Sequence, residues 1–237
     1  VPRAPIALVQ VLGAVAYGEL KAYDEAKEFA AGSADPAEAK TWRTIAAEEL
    51  RHHKGFVRRL EALGADPERA MKPFRASLDH FHGMPPESDD VAQAVLALLG
   101  EGVASDLLGW LRKVSDPDTA RFIDTVIADE VEHEARAAEE VRHLMESRPG
   151  GRRSAAKAAR NMLVRMASSS PGSGPSFTAF VRLGRAHELL AALAAGYARR
   201  LHMIGVGPLS TLERVDPFGF FARIDPFAGA SRQRSAA

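Results

Sequence analysis

The 237-residue sequence contains no cysteine, and this absence excludes several kinds of site at once. Disulfide bonds, thiolate zinc sites, iron–sulfur clusters and cysteine nucleophiles all depend on the missing thiol. A chain without cysteine also fits a reducing compartment. Any metal bound by this protein is therefore expected to have oxygen and nitrogen ligands.

The N-terminal apolar stretch, IALVQVLGAVAYGEL, is too short to cross a membrane. It is interrupted by Gln10 and runs into Glu19, whereas a membrane span needs about 20 apolar residues. No small-residue cleavage site follows a charged start, as a secretory signal would require. We expect a cytoplasmic protein with no membrane attachment.

Neither sign of charge is in excess, because 31 Lys and Arg balance 31 Asp and Glu. The distribution is uneven, however: residues 1–150 carry 18 basic and 27 acidic residues (net −9), and residues 151–237 carry 13 and 4 (net +9). A solvated helix face explains the basic residues by default, and contact with RNA phosphates is the functional alternative. The basic residues in question are Arg152, Arg153, Lys157, Arg160, Arg165, Arg182 and Arg185.

The residue usage is typical of an all-α protein, since Ala, Leu, Glu, Arg and Lys dominate and β-branched runs are rare. Asp-Pro pairs at 35–36, 66–67 and 116–117 each place a capping acid before a proline at the first helical position. We predict a four-helix bundle over residues 1–150, with helices at 5–31, 36–63, 89–114 and 117–147.

The remaining segments complete the predicted architecture. A long crossover at 64–88, with a short helix around Glu68–His80, connects the second and third helices. Two extra C-terminal helices, at 152–168 and 176–203, form an additional region over 151–204 that packs on the bundle. Residues 205–237 are rich in Pro, Phe and Gly, and we expect an irregular tail there.

Each predicted pair of helices carries the same set of metal-binding side chains. Glu19 precedes Glu49 by 30 residues and Glu101 precedes Glu130 by 29; His52 and His133 each follow three residues later, completing two E-x-x-H motifs. Residues three apart share a helix face, so each motif presents a carboxylate and an imidazole together. One Glu from each of two helices plus E-x-x-H from the other two is the ligand pattern of ferritin-like di-metal bundles.

Charge balance favours two metal ions over one. Glu19 and Glu101 lie in apolar helical stretches, where we expect them to be buried and an unpaired carboxylate would be costly. Four Glu carry −4, which two divalent ions neutralise. Oxygen and imidazole ligands suit iron or manganese without choosing between them. The alternative is a bundle that kept these residues by accident.

Other polar residues are candidates for supporting roles. Glu48 and Asp129 directly precede the two motifs and could accept a hydrogen bond from a metal-bound histidine, or could be solvated acids. Tyr23, four residues after Glu19, could be a hydrogen-bond donor or a redox tyrosine, although packing is the simpler interpretation. We expect His53 to be exposed, and His80 and His82 to have surface or capping roles.

The AYGEL of the first helix, the two E-x-x-H motifs and LEALGADPERAMKPF after the second helix together resemble a known family. Over residues 8–200 the chain looks like the actinobacterial ferritin-like proteins related to the MiaE-type tRNA hydroxylases. The resemblance implies a non-haem di-iron monooxygenase that activates O₂ with electrons from an external donor protein and hydroxylates a C–H bond. It also implies that Glu49 and Glu130 bridge the irons, that Glu19 and Glu101 are terminal ligands, and that His52 and His133 bind one iron each.

Several functions share this ligand set. The tRNA enzymes of the family act on the isopentenyl group of a modified adenosine, so tRNA is one expected partner. An oxygenase of small-molecule biosynthesis is the main rival, and a manganese catalase or a ferroxidase-like protein would use the same ligands. A radical-generating reductase subunit would need a tyrosine near one metal, for which Tyr23 is the candidate. The sequence is also compatible with a homodimer.

Overall fold

The computed structural model describes residues 5–83, 87–168 and 176–206. Within these ranges the chain is helical and contains no strand, as predicted. The helices are α1 (Ile6–Gly32), α2 (Pro36–Ala62), α3 (Pro67–Met71), α4 (Arg75–His82), α5 (Asp90–Val114), α6 (Pro117–Ser147), α7 (Gly151–Ser168), α8 (Ser176–Leu183) and α9 (Ala186–Met203), with a 3-10 turn at Lys72–Phe74 between α3 and α4.

Aspartate caps fix where the helices begin. The side chain of Asp35 accepts a hydrogen bond from Ala37 N at 2.9 Å, and Asp116 caps α6 in the same way through Asp118 N and Thr119 N. Each cap satisfies backbone N–H groups that have no partner within the helix. The predicted bounds of the four long helices agree with the observed ones to within one residue at each end, and three of the four begin at such a cap.

The described residues divide into two compact units. In unit 1, α1 packs along α2, and α3, α4 and α8 pack on α1. Tyr17 on α1 donates a hydrogen bond to Asp79 on α4 at 2.7 Å, and this bond raises the pKa of the Tyr17 hydroxyl. These two helices run antiparallel, because Ala26 packs with Ile45 while Glu19 lies beside His52.

In unit 2, α5 is the central helix and contacts α6, α7 and α9. Leu98 on α5, Val141 on α6, Met162 on α7 and Leu201 on α9 belong to one apolar core. By length and apolar composition alone, α5 would also suffice to cross a membrane. Its packing within unit 2 is that of a core helix, and Trp110 near its end is 1% exposed.

The prediction of one continuous helix over 176–203 is wrong. Gly184 and Arg185 have φ angles of 79° and 55°, so the backbone turns through the left-handed region between α8 and α9. Glycine adopts this conformation without strain. The carbonyl oxygen of Arg185 accepts a hydrogen bond from Trp110 Nε1 at 3.0 Å, which holds the start of α9 against α5.

A buried ion-pair network joins three helices of unit 2. The guanidinium of Arg200 on α9 is 1% exposed and binds both oxygens of Asp106 on α5, at 2.8 and 3.1 Å. Its Nε donates to Glu134 Oε2 on α6 at 3.0 Å, and Arg199 binds the same carboxylate. Since every charge in the network is paired, burial of these groups is tolerated.

Two glycines make room for this network. A Cβ atom at Gly102 on α5 would overlap the guanidinium of Arg200, and a Cβ at Gly196 on α9 would overlap the carboxylate of Asp106. The missing side chains therefore allow α5 and α9 to approach closely enough for a bidentate ion pair.

Some predictions fall outside the described residues. The irregular tail is described only for its first two residues, 205 and 206, and the segments 84–86 and 169–175 are also outside. The side chain of Arg165 is outside them as well.

We expect Arg200→Met to destabilise the protein by about 3–5 kcal/mol, because it leaves two buried carboxylates without their shared partner. Urea denaturation followed by circular dichroism measures the change. Arg112→Met is the matched control: Arg112 pairs with Asp124 across the same two helices, α5 and α6, but both side chains are about half exposed, at 49% and 47%. An equally large effect of both substitutions would contradict the role assigned to burial.

Candidate metal centre

Three of the predicted ligands converge in unit 1. Glu19 on α1 and Glu49 and His52 on α2 face each other across the α1–α2 packing, and their side chains are 7%, 6% and 1% exposed. His52 Nδ1 lies 3.3 Å from Glu19 Oε2 and 3.5 Å from Glu49 Oε2. The i, i+3 spacing of Glu49 and His52 places both on the buried face of α2, as the motif predicted.

Burial dominates the electrostatics of this cluster. It raises the pKa of Glu19 from 4.5 to about 8; the adjacent His52 imidazole partly offsets this rise, and the neighbouring Glu49 carboxylate adds to it. Two buried acidic groups thus lie beside one imidazole. Such burial favours either a proton or a metal ion on the Glu19 carboxyl group.

The residues present fit a metal ion. One carboxylate oxygen each from Glu19 and Glu49 and a ring nitrogen of His52 lie within 4.8 Å of one another. Ligands at about 2.0–2.2 Å from one ion are separated by at most roughly 4.4 Å, so only small side-chain adjustments are required. Carboxylate oxygen and imidazole nitrogen suit iron and manganese. The three side chains could therefore hold one such ion.

Unit 2 contains the second E-x-x-H motif on α6. His133 is 8% exposed and Glu130 is partly buried, with His133 Nδ1 3.9 Å from Glu130 Oε1. The motif thus presents its carboxylate and imidazole on one face of α6, as the spacing predicted. The assignment of Glu130 and His133 as metal ligands remains a prediction.

Glu101 differs from expectation, because its side chain is exposed rather than buried. The buried face of α5 passes instead through Leu98, Gly102, Ser105 and Asp106, one position further along the helix. The apolar stretch VLALLGEGVASDLL contains two acids, and the one that the fold buries is Asp106. The role of Glu101 as a ligand therefore remains a prediction.

The supporting residues lie beside the motifs without a defined role. Glu48 and Asp129 are both partly buried. Tyr23 is partly buried against Ala26 and Ile45, and the ammonium of Lys27 lies 5.1 Å from the centre of its ring. These contacts agree with the packing interpretation of Tyr23, while a catalytic role for any of the three residues stays a prediction.

Two further histidines have specific partners. The prediction that His53 is exposed is wrong: it is partly buried, and its Nδ1 lies 2.7 Å from the carbonyl oxygen of Ala16 on α1. The neighbouring helix covers this side of α2, which a helical-wheel argument from α2 alone does not reveal. His82 contacts Glu25 at 2.7 Å, in agreement with the surface role expected for it.

Sequence reasoning missed the buried acids Asp106 and Glu134. Burial opposes ionisation of Glu134, but the hydrogen bonds and charges of Arg199 and Arg200 lower its pKa below the usual value, so it remains a carboxylate. The signal in the sequence was an acid in an apolar stretch of α5 together with the Arg199-Arg200 pair in an apolar helix. Because Glu134 follows His133 directly, this network fixes the helix next to the second motif.

Comparison with known proteins identifies the family. The family model for the ferritin-like domain of actinomycetes matches residues 2–170, well over half of the chain. The chain therefore belongs to this family of ferritin-like proteins, and the predicted all-α ferritin-like fold is confirmed. No curated protein matches the chain. A ferritin-like fold with a buried carboxylate and imidazole cluster is compatible with iron.

We expect the metal-free protein to lose stability as the pH rises. Because the pKa of Glu19 is about 8 in the folded chain and 4.5 ordinarily, the folded state retains a proton that the unfolded chain releases. The contribution of this proton to the free energy of unfolding is fully present below about pH 4.5. It is lost as the pH rises through about 8, at up to about 1.4 kcal/mol per pH unit.

Urea denaturation of the chelator-treated protein at several pH values measures this slope. Glu19→Gln cannot ionise and should flatten the dependence, whereas Glu25→Gln, at a partly exposed position on the same helix, should not. Identical slopes for the parent protein and Glu19→Gln would show that another group carries the proton.

Proposed function

We propose that the chain is a non-haem di-iron oxygenase that uses O₂ to hydroxylate a C–H bond. The observation that carries the proposal is the buried convergence of Glu19, Glu49 and His52, whose carboxylate oxygens and ring nitrogen lie within 4.8 Å of one another. In this proposal Glu101, Glu130 and His133 supply the matching second set.

The repeated spacing supports two metal ions instead of one. The second set reproduces the first in composition and order, and α6 presents Glu130 and His133 together. In the proposal Glu19, Glu49 and His52 would hold one metal ion, and Glu101, Glu130 and His133 would hold the other. Four carboxylates and two divalent ions then sum to zero charge, which compensates the burial of Glu19 and Glu49.

The bound iron would supply O₂ activation, with the net reaction R–H + O₂ + 2 e⁻ + 2 H⁺ → R–OH + H₂O. The protein contributes a water-poor environment around Glu19 and Glu49 and a ligand set of fixed orientation. Asp129 and Glu48 are candidates to accept the second ring N–H of the histidines and so orient them. The raised pKa of Glu19 means that metal binding below about pH 8 displaces a proton from this carboxyl group.

We expect the protein to bind close to two iron ions per chain, and the double substitution Glu49→Ala with His133→Ala to remove most of this metal while leaving helical circular dichroism intact. Metal analysis of the purified protein measures the stoichiometry, and oxygen uptake with a chemical reductant measures the reaction. Glu61→Ala with His143→Ala removes the same residue types from α2 and α6 outside the motifs and should retain the metal. Full metal retention by the first double variant would reject the ligand assignment.

Two other functions use the same set of metal ligands. If the protein as purified contains manganese and rapidly disproportionates hydrogen peroxide, it is a manganese catalase instead of an oxygenase. If iron is oxidised and accumulates without an organic product, the ferroxidase interpretation applies. Product analysis after oxygen uptake separates these outcomes.

For the substrate, we propose tRNA, with a small molecule as the alternative. The support is the family resemblance together with the exposed cations of α7. Arg153, Lys157 and Arg160 point away from the apolar face that Ala155, Ala158, Ala159 and Met162 bury in the core of unit 2. A helix that is anchored by one face and basic on the other is suited to phosphate contact.

We expect tRNA affinity to fall steeply with salt, because binding to phosphates releases counterions. Substitution of Arg153, Lys157 and Arg160 by Gln should flatten the slope of log K against log salt by about 0.9 for each phosphate that the variant no longer neutralises. A filter-binding or anisotropy titration at several salt concentrations measures this slope. If no tRNA binds at low salt, a small-molecule substrate is the remaining proposal. If tRNA binds with an unchanged slope, the binding surface lies elsewhere.

A further inference from the structure

The outer face of α2 carries a row of basic side chains. Lys40, Arg43, Arg51, Lys54 and Arg58 are all exposed, and their spacings of 3, 8, 3 and 4 residues place them on one side of the helix. We call these five residues the α2 basic face. Ala47 and Leu50 lie between the cations and, with Arg51, Lys54 and Arg58, line a shallow open depression.

Most of these charges are not neutralised within the described part of the chain. Among the described residues, Lys40, Arg43, Lys54 and Arg58 have no acidic side chain within ion-pair distance, although twelve acidic residues lie between residues 1 and 85. The row is about 27 Å long, given a rise of about 1.5 Å per residue over the 18 residues from Lys40 to Arg58. A cationic rim around a small apolar centre is a composition suited to docking of an anionic protein surface.

The opposite side of the same helix carries the candidate metal ligands. At about 100° per residue, the centre of the α2 basic face lies roughly 180° from the direction shared by Glu49 and His52. A helix with its side chains is about 10–12 Å across. A molecule seated on the α2 basic face is therefore separated from the buried cluster by a single helix.

We infer that the α2 basic face is the docking surface for an acidic electron-carrier protein. The inference rests on the proposed function, because hydroxylation with O₂ requires two electrons per turnover that no group described in this chain supplies. A one-electron carrier would be oxidised twice, delivering one electron each time while two protons come from solvent. Complementary charge accelerates the encounter of such partners by roughly 10- to 1,000-fold at low salt.

The experiment uses the iron-loaded, oxidised full-length protein and two reductants under anaerobic conditions. Dithionite tests whether the iron centre can be reduced at all, and a reduced acidic [2Fe–2S] ferredoxin of plant type is the protein probe. Stopped-flow absorbance follows re-oxidation of the ferredoxin at several salt concentrations. The test variant is Arg43→Gln, Lys54→Gln, Arg58→Gln, and its matched control is Arg112→Gln, Lys113→Gln, Arg121→Gln, which removes the same residue types from exposed positions on α5 and α6.

We expect the α2 variant to be reduced by ferredoxin at least roughly tenfold more slowly than the parent at low salt, with a flatter salt dependence, while its iron content and its reduction by dithionite stay unchanged. The control variant should be reduced at the parental rate. The charge-conserving variant Arg43→Lys, Arg58→Lys should keep the parental rate, because the interaction depends on charge.

Each of the following outcomes contradicts the inference, and only the last one also contradicts the proposed function. Ferredoxin rates that are equal in the parent and the α2 variant, or no ferredoxin reaction where dithionite reduces the iron, exclude the docking surface but not the oxygenase. Equally slowed reduction of both variants indicates unspecific charge attraction. Abolished tRNA binding in the α2 variant, with unchanged ferredoxin kinetics, assigns the surface to RNA. Failure to bind iron, or failure of O₂ to re-oxidise the reduced iron once excess dithionite has been removed, rejects the proposed function itself.

Discussion

A carboxylate that is buried away from water has to be compensated, and this requirement governs both units of the protein. Among the described residues, Glu19, Glu49, Asp106 and Glu134 are buried acids. The helices that carry them are held in place by the groups that compensate their charge. Apolar packing brings the helices together, but the buried acids restrict how far each helix can rotate or slide.

The two units meet the requirement in different ways. In unit 2 the compensation is permanent, since Arg199 and Arg200 are covalent parts of α9 and bind both acids directly. In unit 1 a single imidazole faces two acids, and the pKa of Glu19 shows that the cluster retains a proton up to about pH 8. A proton can be exchanged for a metal ion, as a metal site requires. An arginine side chain cannot be exchanged, and its ion pairs stabilise the fold.

Local signals explain how much could be predicted from the sequence. Helix ends were predictable because Asp caps and Pro residues act within a few residues, and Glu49 with His52 was predictable because i, i+3 spacing holds in any helix. The burial of Asp106 instead of Glu101, the cover over His53 and the break at Gly184–Arg185 depend on neighbours that are distant in the sequence. Arg200, for example, lies 94 residues from Asp106.

The glycines beside the ion-pair network have a consequence for sequence variation. A side chain at Gly102 or Gly196 would occupy the space of the Arg200–Asp106 pair, so a change at either position is tolerated only when the pair is replaced by smaller apolar residues. Related chains should therefore either keep the two glycines, Asp106 and Arg200 together or have all four replaced together. Covariation among these four positions then distinguishes relatives with this helix contact from those that have repacked it.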